Sequence, residues 1–165
     1  MAGRQPGDAG EGADQGVDRP GDETRLPLLN VYLDTSVVVP LLVDDDHAPR
    51  ARAWARQGHA VALSAWTVAE FSSALSLQVR LKRLTEAERR DTERAFDRWA
   101  RKGKMLEFDT DCFQEARRLL QAHGRLRAPD ALHLAIAHRH GLAFATLDDV
   151  LHDAALAEGL KVVAL

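Results

Sequence analysis

The sequence predicts a single α/β domain, with a parallel central sheet of about five strands and helices on both faces. Two observations carry this. Short apolar runs of strand length alternate with longer stretches of helical period. Four acidic residues, moreover, each sit against the end of an apolar run, where an open α/β sheet gathers its site residues. The 165 residues suit one domain, and three Trp, five Phe and many Leu, Val and Ala give it a core to bury.

Residues 1–26 are rich in Gly, Asp, Arg, Gln and Pro and have almost no large apolar side chain before Leu26. Such a segment cannot offset its ordering entropy, so we expect a disordered tail over 1–26 and a folded domain over 27–165. Leu28 to Leu33 is the first strand, followed by Asp34-Thr35-Ser36 and a short helix over Val37 to Val43 that contains Pro40. Asp44-Asp45-Asp46 makes a turn before a helix from His47 to Gln57. Val61 to Leu63 is the second strand. Ser64 to Arg83 reads as a long helix with Val68, Phe71, Ala74, Leu75 and Val79 on one face. Thr85 opens a charged helix to Arg101, with Phe96 and Trp99 turned inward. Met105 to Phe108 is the third strand, and a helix from Asp109 to His123 ends before Gly124. Pro129 suits the first turn of a helix from Asp130 to His140, closed by Gly141. Leu142 to Thr146 is the fourth strand, Val150 to Glu158 a helix, and Lys161 to Leu165 a fifth strand.

Charge and cysteine content narrow the setting. The chain has 25 acids against 22 bases, but six acids and three bases lie in residues 1–26, leaving nineteen of each in the domain. If four acids gather in one site, the remaining surface is net basic. One cysteine, Cys112, excludes an internal disulfide framework and fits a reducing cytoplasm. Neither a secretory leader nor an apolar stretch of spanning length is present in the sequence, so no membrane is expected.

The four acids are Asp34, Glu70, Asp130 and Asp148. Each has a bland alternative. Asp34 and Asp148 could be helix N-caps. Thr67-Val68-Ala69-Glu70 matches a capping box, and Asp130 near a helix start is favoured by the dipole alone. Their conjunction argues for more, because such positions converge at the carboxyl edge of a doubly wound sheet. Carboxylates gathered there repel one another unless a hard cation lies between them. That pattern points to a Mg²⁺ site, with Mn²⁺ as a possible substitute, and to metal-assisted phosphodiester chemistry.

Leu33-Asp34-Thr35-Ser36-Val37-Val38, Ala69-Glu70, Leu126-Arg127-Ala128-Pro129-Asp130-Ala131-Leu132-His133-Leu134-Ala135 and Ala145-Thr146-Leu147-Asp148 together resemble a PIN domain, and within it a VapC-type toxin. The resemblance runs from about Leu28 to Leu165. It implies a metal-dependent endoribonuclease acting on structured RNA such as tRNA or rRNA, the toxin of a toxin–antitoxin pair. It assigns Asp34, Glu70, Asp130 and Asp148 as catalytic and metal-binding acids, with Asp34 and Asp130 the most direct ligands. Thr35, Ser36 and Thr146 match supporting hydroxyls. The doublet Asp148-Asp149 leaves the fourth position open by one residue. The resemblance also implies a homodimer and a small DNA-binding antitoxin, for which exposed parts of Phe71, Leu75 and Leu81 are contact points.

Other features read more plainly. Residues 80–104 hold ten Arg or Lys against five acids, which makes a solvated helix face with pairs such as Glu86–Arg90 and Asp97–Arg101. An unpaired subset of these bases is available to RNA phosphates. His133 is expected as a packed histidine, His138 and His140 as non-ligands, and Cys112 as core. A haloacid-dehalogenase-like phosphatase would need a second Asp two residues after Asp34, where Ser36 stands. A catalytically silent PIN-like module that binds RNA or protein is the other alternative.

Overall fold

The computed structural model describes residues 29–165. The expected tail over 1–26 lies outside the described residues. In chain order the elements are β1 (Asn30–Leu33), α1 (Thr35–Leu42), α2 (Ala48–Ala55), β2 (Ala60–Ser64), α3 (Ala65–Arg80), α4 (Glu86–Ala100) and β3 (Lys104–Leu106). They continue as α5 (Thr110–Ala122), α6 (Ala128–Arg139), β4 (Ala143–Ala145) and α7 (Asp149–Ala157). The sheet order is β3-β2-β1-β4, with every pairing parallel. Strand order therefore reverses beside β1, and a crevice opens at the carboxyl ends of β1 and β4.

The expected fifth strand is a correction. Residues 161–165 contribute a single bridge, Phe144 to Val162, held by Phe144 N–H to the Lys161 carbonyl and Val163 N–H to the Phe144 carbonyl, both 2.8 Å. Its neighbour β4 is three residues long, so the ladder has nothing further to run on. The sheet thus has four strands.

Both faces of the sheet are covered, which is why Val31, Tyr32 and Leu33 are all fully buried. Tyr32, Ala62, Leu106 and Phe144 point to one core, packed by Cys112, Ala116 and Leu119 of α5, Leu132 of α6 and Leu151 of α7. Val31, Leu33, Leu63 and Ala145 point to the other, with Val37, Trp54, Phe71, Leu75 and Phe96 from α1 to α4. Each large side chain buried here contributes about 1.5–3 kcal/mol. Phe71 and Phe96 stack with centroids 4.3 Å apart, locking α3 to α4.

Local signals set the helix starts around the crevice. Ser64 caps α3 through a box with Thr67, so the helix begins at Ala65 and Glu70 lies more than a turn inside it. The capping-box reading of Thr67 and Glu70 is therefore corrected. Pro129 in the first turn of α6 and Gly141, at φ 60° after its end, bound that helix. On α4, Arg89 lies between Glu86 and Glu93 and pairs with both, at 2.6 and 2.7 Å. That arrangement replaces the expected Glu86–Arg90 pair. Asp97 and Arg101 form no ion pair among the described residues.

Candidate metal centre

Asp34 follows β1, Asp148 follows β4, Glu70 sits on α3 after β2, and Asp130 opens α6. All four line one cleft of about 430 Å³, together with Thr35, Ser36, Arg80 and Arg127. The structure thus brings the four acids expected from the sequence to one place.

Asp34 occupies the N-cap position of α1 but makes no cap hydrogen bond. Its Oδ2 instead accepts from Ser36 Oγ at 2.5 Å and Thr146 Oγ1 at 2.9 Å. Those hydroxyl oxygens in turn accept the backbone N–H groups of Leu147 and Asp148, at 2.9 and 3.0 Å. One oxygen of Asp34 is therefore tied to the exit of β4, and the other, Oδ1, lies 3.5 Å from His133 Nε2. A buried carboxylate is stable only with such donors.

Glu70 Oε2 accepts from Thr35 Oγ1 at 2.9 Å and is hydrogen-bonded to His133 Nε2. Burial pushes its carboxyl upward, but the bond and charge of His133, the Thr35 hydroxyl and the Arg127 charge outweigh that. The net result lies below the ordinary Glu range. Asp130 shows the opposite balance. Burial pushes it above the ordinary Asp range despite its ion pair with Arg127, and the charges of Asp34 and Asp148 push the same way. Arg127 Nε donates to Asp130 Oδ2 at 2.9 Å, and an Arg127 amine lies 3.6 Å from Asp148 Oδ2.

Asp148 is both cap and cleft residue. Its Oδ1 accepts the Leu151 N–H at 2.9 Å, while Oδ2 is turned toward Arg127. Asp149 is exposed in the first turn of α7, away from the cleft.

The most closely spaced donor set is Asp34, Glu70 and His133, whose ligand atoms lie within 4.8 Å of one another. Asp130 is outside this set, its carboxylate bonded instead to Arg127. With Asp130 and Asp148 at its edge the cleft is rich in carboxylate oxygens, which fits a hard divalent cation.

Sequence reasoning passed over Arg127, Tyr32 and the bonding of His133. His133 is fully buried, yet Tyr32 and Thr35 contact it as well as Glu70. The available signal was the chain's single tyrosine inside an aliphatic strand, a buried hydroxyl that needs a partner. His138 and His140 are exposed and contact Glu115 and the Glu107 carbonyl, away from the cleft.

A parallel α/β domain with carboxylates converging at one sheet edge is the class that fold and site define. The PIN domain family model matches residues 31–156, and the chain belongs to this family. It is 34% identical over 140 residues to Ribonuclease VapC45 of Mycobacterium tuberculosis (strain CDC 1551 / Oshkosh), covering 83% of this chain and 95% of that one. Among solved structures it is similar to VapC20 of Mycobacterium tuberculosis, a sarcin–ricin-loop-cleaving toxin (TM-score 0.63, 20% identity, 82% of this chain and 99% of that chain). It is also similar to FitAB bound to an IR36 DNA fragment (TM-score 0.62, 25% identity, 81% of this chain and 93% of that chain).

Proposed function

We infer that this protein is a metal-dependent endoribonuclease of the VapC type, the toxin of a toxin–antitoxin pair, with its nuclease domain spanning residues 27–165. The observation that carries the reading is Asp34: a buried carboxylate held by two hydroxyls at the mouth of a cleft with three further acids. The 34% identity to Ribonuclease VapC45 supports the substrate class.

Asp34, Glu70, Asp130 and Asp148 would hold Mg²⁺, or Mn²⁺ in its place. A bound divalent cation would supply Lewis-acid polarisation of the phosphodiester and would make a water easier to deprotonate to the attacking hydroxide. The chain's own residues do the rest. Ser36 and Thr146 fix the rotamer of Asp34, and Thr35 does the same for Glu70. Arg80 lines the cleft with no ion-pair partner among the described residues, and would take an RNA phosphate. Arg127 neutralises Asp130 and must yield when a cation or substrate arrives.

The partners we propose are an RNA substrate, a second copy of the chain, and a small DNA-binding antitoxin. A relative solved on DNA, FitAB, supports the last. Phe71 and Leu75 are fully buried and cannot serve as antitoxin contacts; of the three expected, Leu81 is exposed and remains, and the exposed Leu77 joins it. No helix among the described residues is long and apolar enough to cross a membrane, and we place the activity in the cytoplasm, with its RNA.

The test is incubation of antitoxin-free protein with total tRNA and rRNA, in Mg²⁺, Mn²⁺ or EDTA, beside Asp34→Asn. We expect discrete fragments that need the metal and vanish in the variant. Folded protein that yields no fragments would point to the silent binding module. Ser36 donates to Asp34 where a phosphatase would need an acid, so hydrolysis of small phosphate esters is not expected.

A further inference from the structure

His133 has no exposed surface, yet both ring nitrogens are engaged. Nε2 faces two carboxylates, Glu70 Oε2 in direct hydrogen-bond contact and Asp34 Oδ1 at 3.5 Å. A bare lone pair set against two carboxylates would be repelled, so Nε2 carries a hydrogen and donates it. The neighbouring Thr35 hydroxyl, 3.3 Å from Nε2, gives its own hydrogen to Glu70. Behind the ring, Nδ1 lies 2.9 Å from the Tyr32 hydroxyl. That hydroxyl also contacts Ser64 Oγ at 2.7 Å and Thr67 Oγ1 at 3.3 Å, the cap residues of the helix that carries Glu70. In the neutral ring Nδ1 accepts from Tyr32, and in the protonated ring it donates. In both forms Nε2–H still faces Glu70.

We propose that His133 is a positioning residue: its Nε2–H holds the Glu70 carboxylate beside Asp34, Tyr32 fixes the ring from behind, and the imidazole does not itself bind the cation. The competing role is a third ligand, since its Nε2 lies within 4.8 Å of donor atoms from Asp34 and Glu70. The proposal rests on the metal-centre reading above. A donor standing behind a ligating carboxylate sets its orientation, and loss of such partners lowers metal affinity about 10–100-fold.

The experiment uses the full chain with Mn²⁺ as probe. Titrations of wild type, His133→Leu, His133→Gln and Tyr32→Phe are followed by electron paramagnetic resonance, with circular dichroism to establish folding. His133→Leu should weaken Mn²⁺ binding about 10-fold or more. Tyr32→Phe should weaken it by less, and His133→Gln, which can return an N–H to the Nε2 position, should recover most of it. Pulsed spectra of the Mn²⁺-loaded wild type carrying ¹⁵N-histidine should show no directly bound nitrogen. A bound histidine nitrogen that disappears in His133→Gln overturns the proposal in favour of a ligand. Unchanged affinity in His133→Leu overturns it in favour of plain packing; if that variant does not fold, unchanged affinity in the volume-conserving Tyr32→Phe does so instead. In metal-free protein, NMR should detect an exchange-protected imidazole N–H that is lost in His133→Gln and shifted in Glu70→Gln. Wild type that binds no Mn²⁺ sinks the metal-centre reading, and the NMR signal then still decides whether the clamp exists.

Discussion

Single side chains set the balance of charge in the cleft, and their removal should separate stability from activity. Asp130 is held above the ordinary Asp range chiefly by burial. A carboxyl raised on folding stabilises the protein below its unfolded value and loses that contribution as pH rises through the folded one. At neutral pH the ionised Asp130 therefore costs stability in the absence of metal. Asp130→Asn should raise the melting temperature of EDTA-treated protein at pH 7, a gain that shrinks toward pH 4, while abolishing the further rise that Mg²⁺ gives wild type. Glu70 is held below its ordinary range, so its contribution runs the other way, present above the unfolded value and lost as pH falls through the folded one. Arg127 is the cleft's built-in counter-charge. Arg127→Ala should tighten Mn²⁺ binding several-fold in calorimetry, because a cation no longer competes with a guanidinium for Asp130. Thr146→Val removes one donor to Asp34 and should cost about 1–2 kcal/mol in a urea melt, with a larger proportional loss of cleavage.

Elements differ in how openly the sequence displayed them. The acids were legible because each stands at an end of an apolar run, a purely local pattern: Leu33-Asp34, Leu147-Asp148 and Pro129-Asp130 announce themselves within two or three residues. Helix α3 misled at its start, since Ser64 and Thr67 form the cap and Thr67 and Glu70 only imitate one. The final segment had the composition of a strand, but its length in the sheet is set by β4, which no inspection of residues 161–165 could supply. The roles of His133 and Tyr32 were hidden for a similar reason, because they touch across 101 residues and His133 meets Glu70 across 63. Packing between elements also explains Gly103, at the turn from α4 into β3. A Cβ there would stand 2.9 Å from the Val61 carbonyl oxygen of β2. Gly103→Ala should cost about 1–3 kcal/mol by denaturant unfolding, with the metal affinity of the folded protein unchanged. At the end of α3, Arg80, Lys82 and Arg83 are exposed and hold no ion pairs among the described residues. Replacing Arg80 and Arg83 by Ala should weaken RNA binding uniformly across sequences and reduce its salt slope by about one to two.

The whole molecule is a sheet with a separate core on each side, and the cleft draws on both. Asp34, at the cap of α1, and Glu70, on α3, belong to one layer; Asp130, on α6, and Asp148, at the cap of α7, belong to the other. The four acids are spread from residue 34 to residue 148, and the last strand to be made, β4, docks beside the first. A consequence follows for biosynthesis. While the ribosome is still making it, the growing chain has no nuclease centre: Asp34 lacks the Thr146 hydroxyl and the β4 edge that fix it, and Asp148 does not yet exist. Chains released early, for instance after residue 140, should bind no Mn²⁺ and cut no RNA. On the ribonuclease reading proposed above, the chain is thereby harmless to the ribosome that builds it until Asp148 has been added.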